Sequence, residues 1–465
     1  ALSELDMKTI GERAPILFAD RQARSGLSPL WAAGKNAKEY RATMGLKPIG
    51  GIFSVGVEEP YRWKDSVQSE PEIRMWVLDG VANGLRPWFT KFAGTLRDTR
   101  WLPVVEDVYQ WHFRNERYLR NTAPLARVAM VYSQQTAHYY GAAGARGRVE
   151  DHTLGFYQAL IEARIPFEMV HDRLLDAAHV DRYKVLVLPN IAALSTAQCA
   201  QLGEYVRRGG SIVATHETSL YDEWGVRRAD FGLASLYGAS YGGELVPRMQ
   251  NSYLTLEGAP GHRHPLLRGL DGATRIINGV SRVAARATAP YPDPPLTLVP
   301  SYPDLPMEEV YPRVPKTDIP EVFARETGRG RVVYFPWDID RTYWEVLSPD
   351  HFLLLRNAVE WAANEPPPVT VTGPGVLDVT AWRQKDSMTV HLVNLTNPMM
   401  MKGPLRELIP APPQKVVVRL PEGHRAARVQ LLSAARPAPF QQSAGAVTLT
   451  VPAIAALEVI AIDFQ

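Results

Sequence analysis

Two adjacent glutamates, Glu58 and Glu59, stand among aromatic and basic residues in the stretch VGVEEPYRWKDS (residues 55–66). A carboxylate in such a setting can act as a nucleophile or as a general acid/base on a glycosidic bond. Tyr61 and Trp63 offer aromatic faces on which a sugar ring can stack. The alternative is a solvated turn whose charges lie at the start of the next helix, and the local pattern leaves both interpretations open.

Apolar periodicity around this loop predicts a parallel β/α layout. Strands are predicted at PILF (15–18), GGIFSVG (50–56) and RPWFTKF (86–92). Helices are predicted at WAAGKNAKEYRATMG (31–45), EPEIRMWVLDGVANG (70–84) and WLPVVEDVYQWHFRNERYLRN (101–121). Loops that leave the carboxyl ends of strands converge on the active site in such folds. The loop after the second strand is therefore the strongest site candidate in the sequence.

The run QSEPEIRMWVLDGVANGLRPWFTKF (68–92) resembles the last β/α units of the barrel in family 42 β-galactosidases and in the related group called hypothetical glycosyl hydrolase 6. In family 42 the seventh strand ends in Met-Glu-Gln, a tryptophan follows, and the next helix carries Arg-x-Trp. The residues in those places here are Val57-Glu58-Glu59, Trp63 and Arg74-Met75-Trp76. The resemblance implies that Glu58 is the nucleophile of a retaining, β-galactosidase-like glycoside hydrolase, with Glu59 as the fallback if the short loop is aligned one residue off.

A set of substrate-binding residues is predicted around the nucleophile, and the resemblance implies Arg62, Lys64, Ser66 and Gln68 among them. The full set is Tyr61, Arg62, Trp63, Lys64, Ser66, Gln68, Trp88 and Lys91. For the polar members of this set, loop solvation and helix capping are the competing explanation.

The sequence departs from a complete catalytic barrel. Eight strands and about 250 residues make a TIM barrel, whereas the part before residue 122 has room for two or three β/α units. Nothing matches the family's acid/base glutamate, which follows an asparagine on the fourth strand. Glu58 and Glu59 point to opposite sides if the segment is extended, so they do not form the required pair of carboxyls. We therefore expect the N-terminal half of the barrel to be absent from this sequence: it is on a second polypeptide, or it was lost, or it belongs to a part of the same polypeptide outside this sequence. The alternative is a non-catalytic assembly or carbohydrate-binding subunit.

The rest of the chain predicts two further domains. RVAMVYS (127–133), GFYQALIEARIPFEMVHD (155–172), YKVLVLPN (183–190) and RRGGSIVATHETSLYDEWG (207–225) resemble the trimerisation domain of the same enzymes, a flavodoxin-like or amidotransferase-like α/β layer. That resemblance implies a homotrimer. EPPPV (365–369) is typical of a linker, and short β-rich runs after it predict a sandwich. The predicted domains are the last units of a TIM barrel (1–122), the flavodoxin-like trimerisation domain (123–366) and a β-sandwich (367–465).

Two polar-aromatic loops follow strands of the middle domain, where ligand contacts gather in open α/β sheets. They contribute His216, Glu217 and Tyr221, and Trp337 and Asp338. We predict that these residues form a lid over the sugar site, with a purely structural or subunit-contact role as the equal alternative.

Other classes of function receive no support. Gly141, Gly144 and Gly147 have the wrong spacing for a dinucleotide loop, so a flexible surface loop is expected there. Cys199 falls within a predicted helix, where a buried thiol is expected and an amidotransferase nucleophile is not. No cofactor and no metal ion are predicted.

The composition points to a globular protein without nucleic-acid or membrane partners. The formal net charge is +2, from 51 basic and 49 acidic side chains, and no block of like charge stands out. No apolar run approaches the ~18 residues of a membrane span, and the first residues lack a signal-peptide pattern. A cytoplasmic location is predicted.

Overall fold

The computed structural model describes residues 5–57, 61, 63–91, 95–398 and 401–465. Glu58, Glu59 and Arg62 lie outside these described residues. The N-terminal part contains three parallel strands in the order β1-β2-β3, joined by helices. Its elements are α1 (Met7–Arg13), β1 (Leu17–Asp20), α2 (Ala32–Met44), β2 (Ile49–Ser54), α3 (Glu70–Ala82), β3 (Leu85–Thr90), α4 (Leu102–Arg114) and α5 (Glu116–Leu119).

The two faces of this three-stranded sheet have different surroundings. Phe53 lies on the helix side, buried in a core that α2 and α3 complete. On the opposite side Ile52 pairs in register with Trp88, and the Trp88 ring packs edge-on against Phe18 at 5.2 Å. Phe18 and Trp88 are both exposed to solvent. Gly50 makes room for the Phe18 ring, because a Cβ at that position would lie 2.3 Å from it.

Helix α3 begins directly after the loop that contains Glu58. Its first turn carries Glu70, Pro71 and Glu72. Proline suits this turn because the first amide groups of a helix have no partner within the helix. The two carboxylates are favoured there by the helix dipole. The residues of this first turn therefore favour the start of the helix directly after Ser69.

The middle part contains a six-stranded sheet in the order β14-β15-β8-β7-β5-β6, parallel except for the edge strand β14. Two smaller sheets, β11-β10-β13 and β12-β9, occupy the region that is irregular in the sequence. Its strands are β5 (Val128–Tyr132), β6 (Phe167–His171), β7 (Val185–Leu188), β8 (Ser211–Thr215), β9 (Ala239–Val246), β10 (Tyr253–Leu256), β11 (Arg275–Ile277), β12 (Arg282–Ala287), β13 (Leu296–Val299), β14 (Phe323–Thr327) and β15 (Gly330–Phe335), after a short β4 (Ala123–Pro124). Its helices are α6 (Asp151–Glu162), α7 (Ala177–Val180), α8 (Thr196–Arg207), α9 (Ala234–Tyr237), α10 (Ile339–Val346) and α11 (Pro349–Ala363).

The segment expected to be a flexible surface loop is helical, so that prediction is wrong. Two π-helical stretches, Thr136–Gly141 and Arg146–Glu150, flank a short 3-10 turn. The apolar residues Tyr140 and Val149 bury against the loop after β7, which gives the segment a core of its own. The glycines that suggested flexibility lie between these buried positions. Cys199 is buried in α8, as expected.

The C-terminal part consists of two antiparallel sheets that enclose one core. Their strand orders are β16-β19-β23-β22 and β21-β20-β24-β18-β17-β4. The strands are β16 (Val369–Thr372), β17 (Leu377–Arg383), β18 (Ser387–Asn394), β19 (Gln414–Arg419), β20 (Ala426–Leu431), β21 (Arg436–Pro437), β22 (Phe440–Ser443), β23 (Ala446–Val451) and β24 (Leu457–Phe464). The second sheet thus includes β4, which precedes the middle part in the chain. The domain boundaries drawn from the sequence stay predictions.

A buried polar junction connects the three parts. The Lys38 ammonium on α2 donates to Asn83 Oδ1 at 2.5 Å, and the Asn83 amide donates to Asp378 of β17 at 2.9 Å. Arg41 on the same helix pairs with Glu168 of β6 at 2.7 Å. These contacts fix the helix side of the three-stranded sheet against both other parts.

None of the helices within the described residues combines the length and apolar character that a membrane span requires. The cytoplasmic location stays a prediction.

Candidate active site

The loop from Val55 to Gln68 leaves the carboxyl end of β2, the middle strand of the three-stranded sheet. Its two ends are held together, because the Gln68 amide donates to the Val55 carbonyl at 2.8 Å. The Gln68 side chain donates to the Gly56 carbonyl, also at 2.8 Å. Gln68 therefore closes the base of the loop, and its predicted contact with substrate stays a prediction.

The side chains of Ser66 and Lys91 form hydrogen bonds with main-chain groups of the loop. The Ser66 hydroxyl accepts from the Val57 amide at 2.8 Å and donates to the Trp63 carbonyl at 2.7 Å. The Lys91 ammonium, at the end of β3, donates to the carbonyls of Lys64 and Ser66 at 2.8 and 2.7 Å. Both side chains were predicted to bind substrate, whereas these contacts are all with the loop backbone.

Aromatic rings are exposed on and beside the loop. Tyr61 and Trp63 are 72 % and 55 % exposed, with ring centroids 5.1 Å apart. Trp88, on the open side of the sheet, is 49 % exposed. Exposed aromatic faces of this kind can stack on the apolar faces of sugars. The structure thus leaves three of the predicted sugar-contacting rings available to a ligand.

Asp20 is a further carboxylate at the carboxyl end of this sheet, and it is not among the residues predicted from the sequence. It ends β1, pairs in register with Ile52 of β2, and is exposed. Applying the strand-end rule to PILFAD would have found it. Asp20 also borders a cleft of about 490 Å³ that lies between the β1–α2 loop and Trp344 of the middle part. We call the carboxyl ends of β1–β3, with the 55–68 loop, the open edge.

The predicted lid residues lie at the carboxyl ends of β8 and β15 and are mostly buried. His216 and Glu217 are 6 % and 3 % exposed, and Trp337 and Asp338 are fully buried. Tyr221 is half-buried and donates to Glu217 at 2.7 Å. Four of the five side chains are therefore enclosed by this chain itself, and the lid role stays a prediction.

Their partners are elements of the same domain. The Tyr140 hydroxyl from the π-helical segment is hydrogen-bonded to Glu217. His216 Nε2 lies 3.0 Å from the Ser281 hydroxyl. Asp338 accepts from the Ser281 amide at 3.0 Å, and Trp337 donates to the Glu321 carbonyl at 2.9 Å.

A histidine–aspartate pair completes this cluster and was not found from the sequence. His152 Nδ1 lies 2.7 Å from Asp340 Oδ1, and the Thr215 hydroxyl donates to Asp340 Oδ2 at 2.7 Å. The His152 and His216 rings stack at 5.5 Å. Burial opposes protonation of His152, but the charge and hydrogen bond of Asp340 outweigh it and raise the pKa of His152. Burial lowers the pKa of His216. We call the carboxyl ends of β7, β8 and β15, with these residues, the sealed edge.

The described residues contain no cluster of side chains of the kind that coordinates a metal ion. No group of three or more histidine, cysteine, aspartate or glutamate side chains lies close enough there to share an ion.

Comparison with known proteins gives a family match within the middle part of the chain. Residues 126–236 match the family model for the β-galactosidase trimerisation domain. The resemblance to glycoside hydrolases of the family 42 clan, with their trimerisation domain, is therefore confirmed. Sequence comparison with curated proteins gives no significant match.

Several solved glycosidase structures share the fold over essentially the whole chain. The α-L-fucosidase isoenzyme 2 from Paenibacillus thiaminolyticus aligns at a TM-score of 0.76 and 17 % identity, covering 100 % of this chain and 67 % of that one. The β-galactosidase from Bacillus circulans sp. alkalophilus aligns at 0.71 and 14 % identity, covering 99 % and 62 %. A catalytic mutant of a family 42 β-galactosidase from G. stearothermophilus aligns at 0.65 and 15 % identity, covering 99 % and 61 %.

These similarities establish the fold and leave the activity of this chain open. The chain spans about three-fifths to two-thirds of the length of the structures that it matches. The α/β fold with a trimerisation domain is thus shown, whereas catalysis is a matter for proposal.

Proposed function

We propose that this chain carries the nucleophile-bearing wall of a retaining, β-galactosidase-like glycoside hydrolase. One observation carries the proposal: the loop that contains Glu58 leaves the carboxyl end of the middle strand of a parallel β/α sheet, and aromatic rings are exposed on this loop and on the neighbouring strand. Glu58 is the nucleophile in this proposal, and Glu59 is the fallback. Tyr61, Trp63 and Trp88 are the sugar-stacking residues, while Arg62 and Lys64 supply polar contacts.

The mechanism requires a second carboxyl. In a retaining enzyme the nucleophile attacks the anomeric carbon while a protonated carboxyl gives its proton to the departing glycosidic oxygen. The resulting covalent glycosyl-enzyme is hydrolysed by water, which the second group, now a carboxylate, deprotonates. We propose that this second group lies on further β/α units, in the same polypeptide or in a second one.

The assembly in this proposal is a homotrimer that acts on a carbohydrate. The match of residues 126–236 to a trimerisation domain supports self-association. The proposal includes no cofactor, nucleic acid or membrane partner.

The test is Glu58→Gln, with Glu59→Gln as the matched control, in the complete enzyme. Loss of the nucleophile is expected to lower kcat by about 10³-fold or more, whereas Glu59→Gln is expected to leave kcat within about tenfold. A 2-deoxy-2-fluoro glycoside with a good leaving group is expected to label the peptide that contains Glu58, as read by mass spectrometry. Turnover of Glu58→Gln within a few fold of the parent enzyme overturns the nucleophile assignment.

The trimerisation match also favours a second function, that of a non-catalytic assembly subunit. The intact mass of the purified oligomer separates the two. A trimer of this chain alone that hydrolyses no glycoside supports the assembly role. A further polypeptide that copurifies and carries strand-end carboxylates supports a two-chain enzyme.

A further inference from the structure

The 55–68 loop is fixed from two sides, and its anchors adjoin the proposed nucleophile. Val57 precedes Glu58 in the chain, and Trp63 lies a few residues beyond it. A single hydroxyl, that of Ser66, connects the Val57 amide with the Trp63 carbonyl. A serine hydroxyl has one donor and two acceptor sites, so this arrangement uses it in both capacities.

Lys91 fixes the residue that makes this bridge. Its ammonium approaches from the neighbouring strand β3 and donates to the carbonyls of Lys64 and Ser66. Hydrogen bonds from a charged donor are stronger than those between neutral groups. The chain of contacts thus runs from β3 through Lys91 and Ser66 to Val57.

We propose that Lys91 and Ser66 are positioning residues that hold the backbone on both sides of the candidate nucleophile. This inference rests on the proposed function, because it takes Glu58 as the nucleophile that the loop presents. Lys91 and Ser66 then have a positioning role in place of the substrate-binding role predicted from the sequence. Their polar atoms contact main-chain groups of the loop, and a shift of about 1 Å in a reacting group can cost about 10²-fold in rate.

The experiment compares Lys91→Met and Ser66→Ala with Ser66→Thr in the complete enzyme. Methionine keeps the length of lysine but donates no hydrogen bond, and threonine keeps the hydroxyl that alanine removes. The control is Arg97→Met, which removes an exposed cation from the loop after β3. The measurements are kcat, KM, and hydrogen exchange of the peptide that contains Val57.

We expect kcat to fall by about 30- to 100-fold in Lys91→Met and Ser66→Ala, with KM within about threefold of the parent. Ser66→Thr is expected to restore kcat to within about fivefold. The Val57 amide is expected to exchange at least about tenfold faster in Ser66→Ala, because it loses its acceptor. Arg97→Met is expected to match the parent in all three measurements.

The outcomes separate this inference from the proposed function. A KM raised more than about tenfold with kcat nearly unchanged shows substrate binding and overturns the positioning role. Parent-like kcat in Lys91→Met and Ser66→Ala, with Glu58→Gln inactive, overturns positioning and leaves the nucleophile in place. Retained activity in Glu58→Gln overturns the nucleophile assignment on which the proposed function depends, and the positioning assignment with it.

Discussion

The open edge and the sealed edge are both carboxyl ends of parallel strands in one chain, yet they differ in what covers them. At the open edge Tyr61, Trp63 and Trp88 are about half exposed or more, and Asp20 faces solvent. At the sealed edge His216 and its charged neighbours are almost entirely enclosed. Polar residues cluster in both places, because the carboxyl ends of parallel strands lie at the same edge of a sheet and the loops that follow them are neighbours. Among the described residues, the open edge exposes aromatic rings and a carboxylate to a ligand, whereas the side chains of the sealed edge are enclosed.

The sealed edge also differs in how its charges are satisfied. Buried ions are tolerated when they are paired and hydrogen-bonded. Asp340 has both His152 and Thr215 as partners, and Glu217 has the hydroxyls of Tyr140 and Tyr221. These groups hold the π-helical segment and the strand ends together. We therefore interpret the sealed edge as structural.

The largest expected contrast is between Glu58→Gln and Glu217→Gln. The first is expected to lower kcat by about 10³-fold or more. The second is expected to leave kcat per folded molecule within about threefold, because its carboxylate faces the interior, and to lower the free energy of unfolding by about 1–3 kcal/mol. Steady-state kinetics and urea unfolding measure the two effects. A loss of turnover in a folded Glu217→Gln variant contradicts the structural interpretation and favours a lid.

Removal of Asp340 tests the pairing at the sealed edge directly. Asp340→Ala leaves His152 and Thr215 buried without the carboxyl group that both contact, so we expect the free energy of unfolding to fall by about 3–5 kcal/mol. The matched control is Glu204→Ala, which breaks the exposed pair with Arg207 and is expected to cost about 0.5 kcal/mol or less. Equal denaturation midpoints for the two variants are the result that sinks this prediction.

Glu321, beside the sealed edge, predicts a pH dependence of stability. The buried Glu321 Oε1 lies 2.7 Å from Nη2 of Arg282. Burial raises the pKa of Glu321 to about 7, and the positive charge of Arg282 offsets part of this increase. A carboxyl with a raised pKa keeps its proton in the folded state after the unfolded chain has lost it. Its stabilising contribution is therefore present below about pH 4.5 and is lost as the pH rises through about 7.

The matching variant is Glu321→Gln, with the exposed Glu326→Gln as control. From pH 4.5 to 7 the free energy of unfolding of the parent is expected to fall relative to Glu321→Gln by on the order of 2–3 kcal/mol. The control is expected to follow the parent curve. Parallel curves for parent and Glu321→Gln show that the carboxyl titrates normally.

Local sequence patterns predicted the open edge better than the sealed edge. Apolar periodicity located β1–β3, α2 and α3, and the strand-end rule selected the 55–68 loop, because these features depend on neighbouring residues. The pairing of His152 with Asp340 joins positions 188 residues apart. Burial of the predicted lid residues likewise depends on the distant π-helical segment and on Ser281. The hydrogen bonds of Lys91 with the loop backbone could not be predicted either, because a lysine at a strand end is equally consistent with a contact to a ligand.

The smallest effect compares one exposed tryptophan at each edge. Trp88 lies on the open side of the three-stranded sheet, whereas Trp224 follows the sealed edge and is 64 % exposed. Loss of one stacking ring from a sugar site is expected to raise KM by roughly tenfold in Trp88→Ala. Trp224→Ala removes a similar exposed ring, packed on Tyr139, and is expected to leave KM unchanged. Because both rings are at the surface, the two variants are expected to change the denaturation midpoint by similar amounts. If the two variants raise KM equally, the sealed edge takes part in the sugar site after all, and exposure alone does not distinguish the two edges.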